Sequence, residues 1–304
     1  VVGAARLALK IGVIVNDLFG RNTMAGLTGG IKRIIPAMPL WSSQLHYPPE
    51  LQALNGRKDG NTMTTKQSIV YFPACISRMM GTYEGKEKNL IETFASICSK
   101  AGLDMIIPQS LAGSCCGQVF SSKGFRDAHS YTANKLVDRL WEATGHGRHR
   151  VVIDVTSCAF TLHKMSPFLN EKNQVKFDAL VILDSVDFLH DMIIPSATIK
   201  ARKKNVVLHP VCSLEKMKTG DKFLEVARFF AEQVTVPRNA GCCGMAGDRG
   251  FLFPELTHAA SLPEASEVIQ RDYDGYYSST RTCEDALSEA VKRNYESILY
   301  LADE

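Results

Sequence analysis

The stretches "SLAGSCCGQVF" (residues 110–120) and "PRNAGCCGMAG" (residues 237–247) each set two cysteines side by side, with a glycine directly after. These pairs, Cys115-Cys116 and Cys242-Cys243, decide the reading, because what surrounds the first recurs around the second. Upstream of each, an apolar run ends in Pro-x-Cys, "PAC" at 73–75 and "PVC" at 210–212. Downstream of each comes Gly-Phe, at 124–125 and 250–251. A further apolar run then ends in a hydroxyl residue plus cysteine, Ser157-Cys158 in one case and Thr282-Cys283 in the other. The intervals from single cysteine to pair and from pair to last cysteine are 40 and 42 residues, then 30 and 40. Four matched positions, in order and twice, indicate a duplication.

The segments between these positions alternate in period. "SIVYF" (68–72), "MIIP" (105–108), "VVIDV" (151–155) and "ALVILD" (179–184) read as short buried strands. Between them lie helical patterns, one with Leu90, Ile91, Phe94, Ile97 and Cys98 on one face, another with Ala133, Leu136, Val137, Leu140 and Trp141. The cycle restarts with a strand at "NVVLHP" (205–210) and a helix near 221–232 with Asp221 as its N-cap. A strand "VTVP" (234–237), a helix near 255–271 and a strand "GYYSST" (275–280) follow. One last helix is expected to carry Ala286, Leu287, Ala290, Val291, Ile298 and Leu299. Strands alternating with helices at this spacing give βαβ units and parallel sheets, hence an α/β fold. The expected organisation is a lead-in at 1–65, a first repeat at 66–195 and a second at 196–304. In the lead-in, "AGLTGG" (25–30) and "MPLWSSQLHYPPE" read as loops and "NGRKDGNTMTT" as an exposed linker.

Composition excludes several function classes. The 304 residues are 45% hydrophobic and 22% charged, with a net charge of +3 and no polybasic run, so nothing calls for nucleic acid or an anionic membrane. The apolar segment "LALKIGVIVNDLF" is interrupted by Lys10 and Asp17 and is too short to span a bilayer; it is read as a packing helix. The chain begins at Val1 without a signal peptide, as a piece of a longer protein would. Nine cysteines are an odd number, clustered in a chain too large to need disulfide stapling. Vicinal cysteines also make poor disulfide partners.

In a parallel α/β layer, residues just past the C-terminal ends of the strands gather at one edge, where ligands sit. Cys75, Cys115, Cys116 and Cys158 all follow such strand ends, and so do Cys212, Cys242, Cys243 and Cys283. Four convergent thiolates repel unless a cation neutralises them, which favours an iron–sulfur centre or zinc. Zinc sites prefer ligands two to four residues apart. Adjacent cysteines suit a cluster of several irons better, and a following glycine lets backbone N–H groups approach the sulfurs.

With these motifs in hand, the chain resembles the cysteine-rich CCG domains. These occur in pairs in heterodisulfide reductase B-type subunits, in glycolate oxidase iron–sulfur subunits, and at the C-terminal end of FAD-linked D-lactate or D-2-hydroxyacid dehydrogenases. "VYFPACISRMMG", "SLAGSCCGQVFSSKGF", "VIDVTSCA" and "NAGCCGMAGDRGF" look most like the last group, and the resemblance covers about 68–304. It implies two tandem Rossmann-like repeats related by a pseudo-two-fold, each binding an iron–sulfur cluster of the 4Fe-4S type, with zinc in one half as the alternative. It also implies an electron-transfer module that passes electrons from a flavin toward a quinone or cytochrome. FAD and a ferredoxin-like module would sit on a part of the parent chain not contained here, so this chain alone should not oxidise lactate. The implied location is cytoplasmic or peripheral at the inner membrane. The family pattern often ends in Cys-x-x-Cys, but Thr161 and Ala286 stand at that offset, which leaves four cysteines per half and speaks against a non-cubane double cluster. A structural zinc or docking module and a thiol–disulfide reductase are the alternative readings.

Three further positions carry expectations. Cys98, without a counterpart in the second half, is read as a buried structural thiol. His209, just before the second Pro-x-Cys, is read as a strand-end histidine bonded to backbone, with a role beside the centre as the alternative. Gly117 and Gly244 are read as backbone-geometry residues rather than ligands.

Overall fold

In a computed structural model, residues 2–42, 44–49, 67–83, 85–108, 111 and 113–304 are described. Among the described residues, eight strands form two four-stranded, all-parallel sheets. The first holds β1 (Ser68–Phe72), β2 (Asp104–Ile106), β3 (Arg150–Ile153) and β4 (Ile182–Asp184), in the order β2-β1-β3-β4. The second holds β5 (Lys203–Leu208), β6 (Ala231–Thr235), β7 (Gly275–Ser278) and β8 (Tyr295–Ser297), in the order β6-β5-β7-β8. Both orders are the same permutation of chain order. The central strands are buried on both faces, which is why they read as continuous apolar runs and not as alternating ones.

The helices are α1 (Val2–Phe19), α2 (Thr23–Lys32), α3 (Leu90–Lys100), α4 (Gln118–Ser121), α5 (Arg126–Ala143), α6 (Thr156–His163), α7 (Glu171–Asp178) and α8 (Ser185–Phe188) up to the end of the first repeat unit. The second set is α9 (Cys212–Met217), α10 (Gly220–Phe230), α11 (Arg249–Leu252), α12 (Pro254–Val268), α13 (Arg281–Val291) and α14 (Ile298–Asp303). The start of α3 is fixed by its sequence. The Asn89 side chain accepts from the Ile91 and Glu92 amides, and the Glu92 carboxylate accepts from the Asn89 amide, a reciprocal capping box.

One apolar cluster runs through both sheets, joining Ile69, Tyr71, Phe94 and Phe188 to Val206, Leu208, Phe223, Tyr277 and Leu299. Within it the Tyr71 and Phe94 rings stack at 4.0 Å and Phe94 and Phe188 at 4.8 Å. The opposite face of each sheet has its own cluster, Phe72 with Leu136 and Leu140 in one, Val207 with Val268 and Leu287 in the other. Ion pairs draw the C-terminus onto the first half, Lys88 and Lys100 to Asp303 at 2.9 and 2.8 Å and Lys86 to Glu296 at 3.0 Å.

Several expectations are corrected. The last helix is two, α13 and α14, with β8 between them. Lys292, at φ +57, turns the chain out of α13, and Tyr295–Ser297 then pair with β7. The helix expected at 221–232 ends at Phe230, because Ala231 already pairs with Lys203 in β6, and Thr219 rather than Asp221 occupies its cap position. "AGLTGG" is not a loop. It lies within α2, held by Thr28 donating to Met24 O at 2.7 Å and by Trp41 N donating to Thr28 at 3.0 Å. The expected linker "NGRKDGNTMTT" lies outside the described residues. The apolar segment of α1 buries Val13 but leaves Leu7, Ile11, Leu18 and Phe19 more than half exposed, so it packs less fully than expected. No described helix is long and apolar enough to cross a membrane. The lead-in docks on the second half through Leu40 N to Phe251 O at 2.8 Å and Ser42 to Asp285 at 2.6 Å.

Candidate metal centre

Each predicted cysteine follows a strand, Cys75 and Cys212 within four residues of its end, Cys158 and Cys283 five residues past it, and the pairs at Cys115 and Cys242 nine and seven residues past it. Pro73 closes β1 and Ala74-Cys75 follows; Asp154, one residue beyond β3, fixes this turn by accepting from Ala74 N at 2.8 Å and from the Tyr71 hydroxyl at 2.7 Å. Cys115 and Cys116 precede α4, and Cys158 sits in the first turn of α6. In the second half Cys212 opens α9, Cys242 and Cys243 precede α11, and Cys283 lies in the first turn of α13. All nine cysteines are free of disulfides.

The first set forms one continuous chain of sulfurs. Cys75 Sγ lies 3.6 Å from Cys115 Sγ, Cys115 is hydrogen-bonded by Cys116, and Cys116 Sγ lies 3.3 Å from Cys158 Sγ. The second set is looser. Cys243 Sγ and Cys283 Sγ are 2.7 Å apart and buried, whereas Cys212 and Cys242 face solvent. The sulfurs thus run in a line in the first set and close as one pair in the second, and among the described residues no group of three or more His, Cys, Asp or Glu side chains stands in a metal-ligating array.

The glycine after each pair has a geometric task. Gly117 at φ +85 and Gly244 at φ +75 turn the chain so that their N–H groups donate to Cys115 Sγ and Cys242 Sγ, both at 3.4 Å. A Cβ at Gly117 would meet His129 Cδ2 at 2.7 Å, and one at Gly244 would meet Leu256 O at 2.7 Å. The two glycines therefore serve backbone geometry, as expected.

In each set one sulfur is shifted down and the sulfurs bonded to it are shifted up. Hydrogen bonds from Cys116 and Cys75, helped by Gly117 N–H and the field of Arg78, push the Cys115 thiol down to about 3, so it stands as a thiolate. The neighbours move the other way: Cys75 rises through its bond to Cys115 and its burial, and Cys116 through Cys115 and Cys158. In the second half the bond from Cys283 lowers Cys243 to about 7, while Cys283 rises. Burial raises Cys212, reinforced by the fields of Cys242 and Cys243. Cys115 in one set and Cys243 in the other are thus lowered while the sulfurs bonded to them, Cys75, Cys116 and Cys283, are raised, as mutual thiolate repulsion requires. Cys98 stays apart, buried on α3 with its thiol pushed up to about 12 by burial, which bears out its structural reading.

Three polar groups stand beside these sulfurs, of which only His209 was singled out in the sequence. Arg78 is fully buried, its Nε donating to Pro73 O at 3.1 Å and its Nη1 to Leu111 O at 2.7 Å, with Nη2 on Ser114 O. It clamps the Pro-x-Cys turn to the loop that carries the cysteine pair. His129 on α5 is buried against Gly117 and stacked on Phe168 at 4.4 Å, and neither ring nitrogen has a partner among the described residues. His209 corrects its expectation: its ring faces the buried Glu264 carboxylate, Nδ1 at 2.8 and 3.0 Å, rather than backbone, and Nε2 has no partner among the described residues. The only forward signal for His209 was its place beside Pro-x-Cys; for Arg78 there was none.

The donor set fits a sulfur-ligated metal centre. In each half four soft sulfurs follow three strand ends, one backbone N–H is already aimed at a sulfur, and a buried imidazole nitrogen beside them has no partner among the described residues.

Fold and site together define a class: tandem parallel α/β repeats that each present cysteines along a sheet's C-terminal edge. Residues 69–163 match the family model of the cysteine-rich domain, CCG, and carry such a domain. Over 224 residues the chain is 24% identical to a subunit of the anaerobic glycerol-3-phosphate dehydrogenase of Escherichia coli strain K12, covering 72% of this chain and 54% of that protein. The same protein from strain O157:H7 is similar to the same extent. The chain spans about half the length of the curated relatives it matches, and the aligned stretch is longer than either repeat.

Proposed function

We propose that this chain is the iron–sulfur electron-transfer part of a flavin-linked dehydrogenase. The repeats divide near 66–195 and 196–304, with Cys75, Cys115, Cys116 and Cys158 holding one centre and Cys212, Cys242, Cys243 and Cys283 the other. The observation that carries this is the unbroken line of four sulfurs in the first half, recurring as a looser set at the matching edge of a sheet with the same strand order. A relative named as part of a dehydrogenase supports the reaction class. The motif resemblance supports D-lactate or another D-2-hydroxyacid as the substrate of the parent, with FAD and ferredoxin-like domains as electron source and a quinone or cytochrome as acceptor. A location in the cytoplasm or at the face of the inner membrane goes with that reading.

A bound iron–sulfur cluster supplies one-electron redox chemistry at each set. The protein's own residues do the rest. Gly117 and Gly244 direct N–H groups at sulfur, the Asp154 carboxylate and the Arg78 fork fix the loops, and burial of Cys116, Cys158, Cys243 and Cys283 keeps water from half of each set.

Oxygen-free reconstitution followed by EPR of the reduced protein tests the proposal. Iron, acid-labile sulfide and reduced-cluster signals are the expected outcome. Protein that stays free of iron after reconstitution, or fills with zinc alone, contradicts it.

A further inference from the structure

The two repeats match at their cysteines but not in charge. Three residues past Cys75 stands Arg78; three past Cys212, the matching position, stands Glu215, which is exposed. The Arg78 guanidinium is 1% exposed and gives its N–H groups to the carbonyl oxygens of Pro73, Leu111 and Ser114, neutral acceptors that leave its charge uncancelled. Asp154 lies within its field, but that carboxylate is engaged by Ala74 N–H and the Tyr71 hydroxyl. The same field reaches Cys75, Cys115 and Cys158, three of the four first-half sulfurs.

We infer that Arg78 is a positioning residue that sets the redox potential of the first-half centre and makes it inequivalent to the second. This rests on the iron–sulfur reading above. An electron delivered by a reduced flavin or another iron–sulfur centre adds one negative charge at the first set; no bond forms or breaks and no proton moves. A buried cation beside the set, shielded from water, stabilises that added charge more than the state before it, so it raises the potential. At the matching place in the second half Glu215 stands instead of the guanidinium, and the cation whose field reaches Cys212 is the exposed Lys216, weakened by solvent.

The test is a mediated redox titration of the reconstituted full chain followed by EPR, with Cys242→Ser used to isolate the first centre and Cys115→Ser the second. Arg78→Met keeps volume and removes the charge. It is expected to lower the first-half potential so that, at fixed poise, the oxidised-to-reduced ratio rises about tenfold, equivalent to about 59 mV for a one-electron couple. Arg78→Lys, which keeps charge but loses the fork, should keep the potential near wild type even where occupancy falls. Glu215→Arg, at an exposed position safe for folding, should raise the second-half potential, and decides the matter if Arg78→Met assembles no first centre. Unchanged potentials in Arg78→Met, or in Glu215→Arg where that variant must decide, overturn the role of Arg78 while leaving the iron–sulfur reading intact. Absence of iron and sulfide in the wild-type protein overturns that reading, and the role of Arg78 with it.

Discussion

Gly117 shows how little latitude a single residue has here. Its φ of +85 and the His129 ring packed over it exclude a Cβ on two independent grounds. Gly117→Ala is expected to lose about 1–3 kcal/mol of stability, read by urea unfolding, and to lower first-half metal content. Wild-type stability in that variant would contradict the close packing. Cys98→Ala, by contrast, should leave metal content unchanged, because its sulfur belongs to neither set. Asp184 gives a pH prediction. Burial raises its carboxyl to about 6, although it accepts from Asp187 N and the Thr156 hydroxyl. A carboxyl raised in the folded state stabilises the fold fully below the unfolded value near 4 and loses that contribution as pH climbs through about 6. Asp184→Asn should remove this dependence, so its unfolding free energy relative to wild type rises by up to about 3 kcal/mol between pH 4 and pH 8. Parallel stability curves for the two proteins would contradict the assignment.

At the scale of elements, the strands that lie at sheet centres were legible because burial on both faces leaves an uninterrupted apolar run, as in "SIVYF" and "VVIDV". The turns at Cys75 and Cys212 were legible with them, since Pro73 and Pro210 stand within two residues of the strand ends, whereas the cysteine pairs lie on longer loops. What was not legible has local causes. β8 is three residues, "YES", with a glutamate at its centre that burial shifts up to about 7, and nothing in its composition distinguishes it from a helix–helix link. α2 carries three glycines and forms because Thr28 and Trp41 tie it down, a tertiary effect that overrides propensity. Arg78 and His129 escaped notice because their importance comes from chain segments far away in sequence. The capping box of α3 was also readable in principle, and Asn89→Ala should destabilise the protein by about 1 kcal/mol in thermal unfolding. A null effect would mean that packing alone holds that helix end.

For the molecule as a whole, duplication fixed the topology but not how the halves are joined. The shared cluster around Phe94, Phe188 and Phe223, the ion pairs at Asp303 and the bond from Thr156 N to Ser279 O at 2.9 Å make the two sheets one mechanical body. The repeats should therefore unfold together but bind metal apart. Metal independence is the central claim, and oxygen-free iron and sulfide analysis of wild type, Cys115→Ser and Cys242→Ser measures it most directly. Each variant is expected to retain about half of the wild-type iron and sulfide, from the unaltered set. Loss of all iron from either single substitution, or none from both, would contradict two sulfur-ligated centres on one duplicated fold.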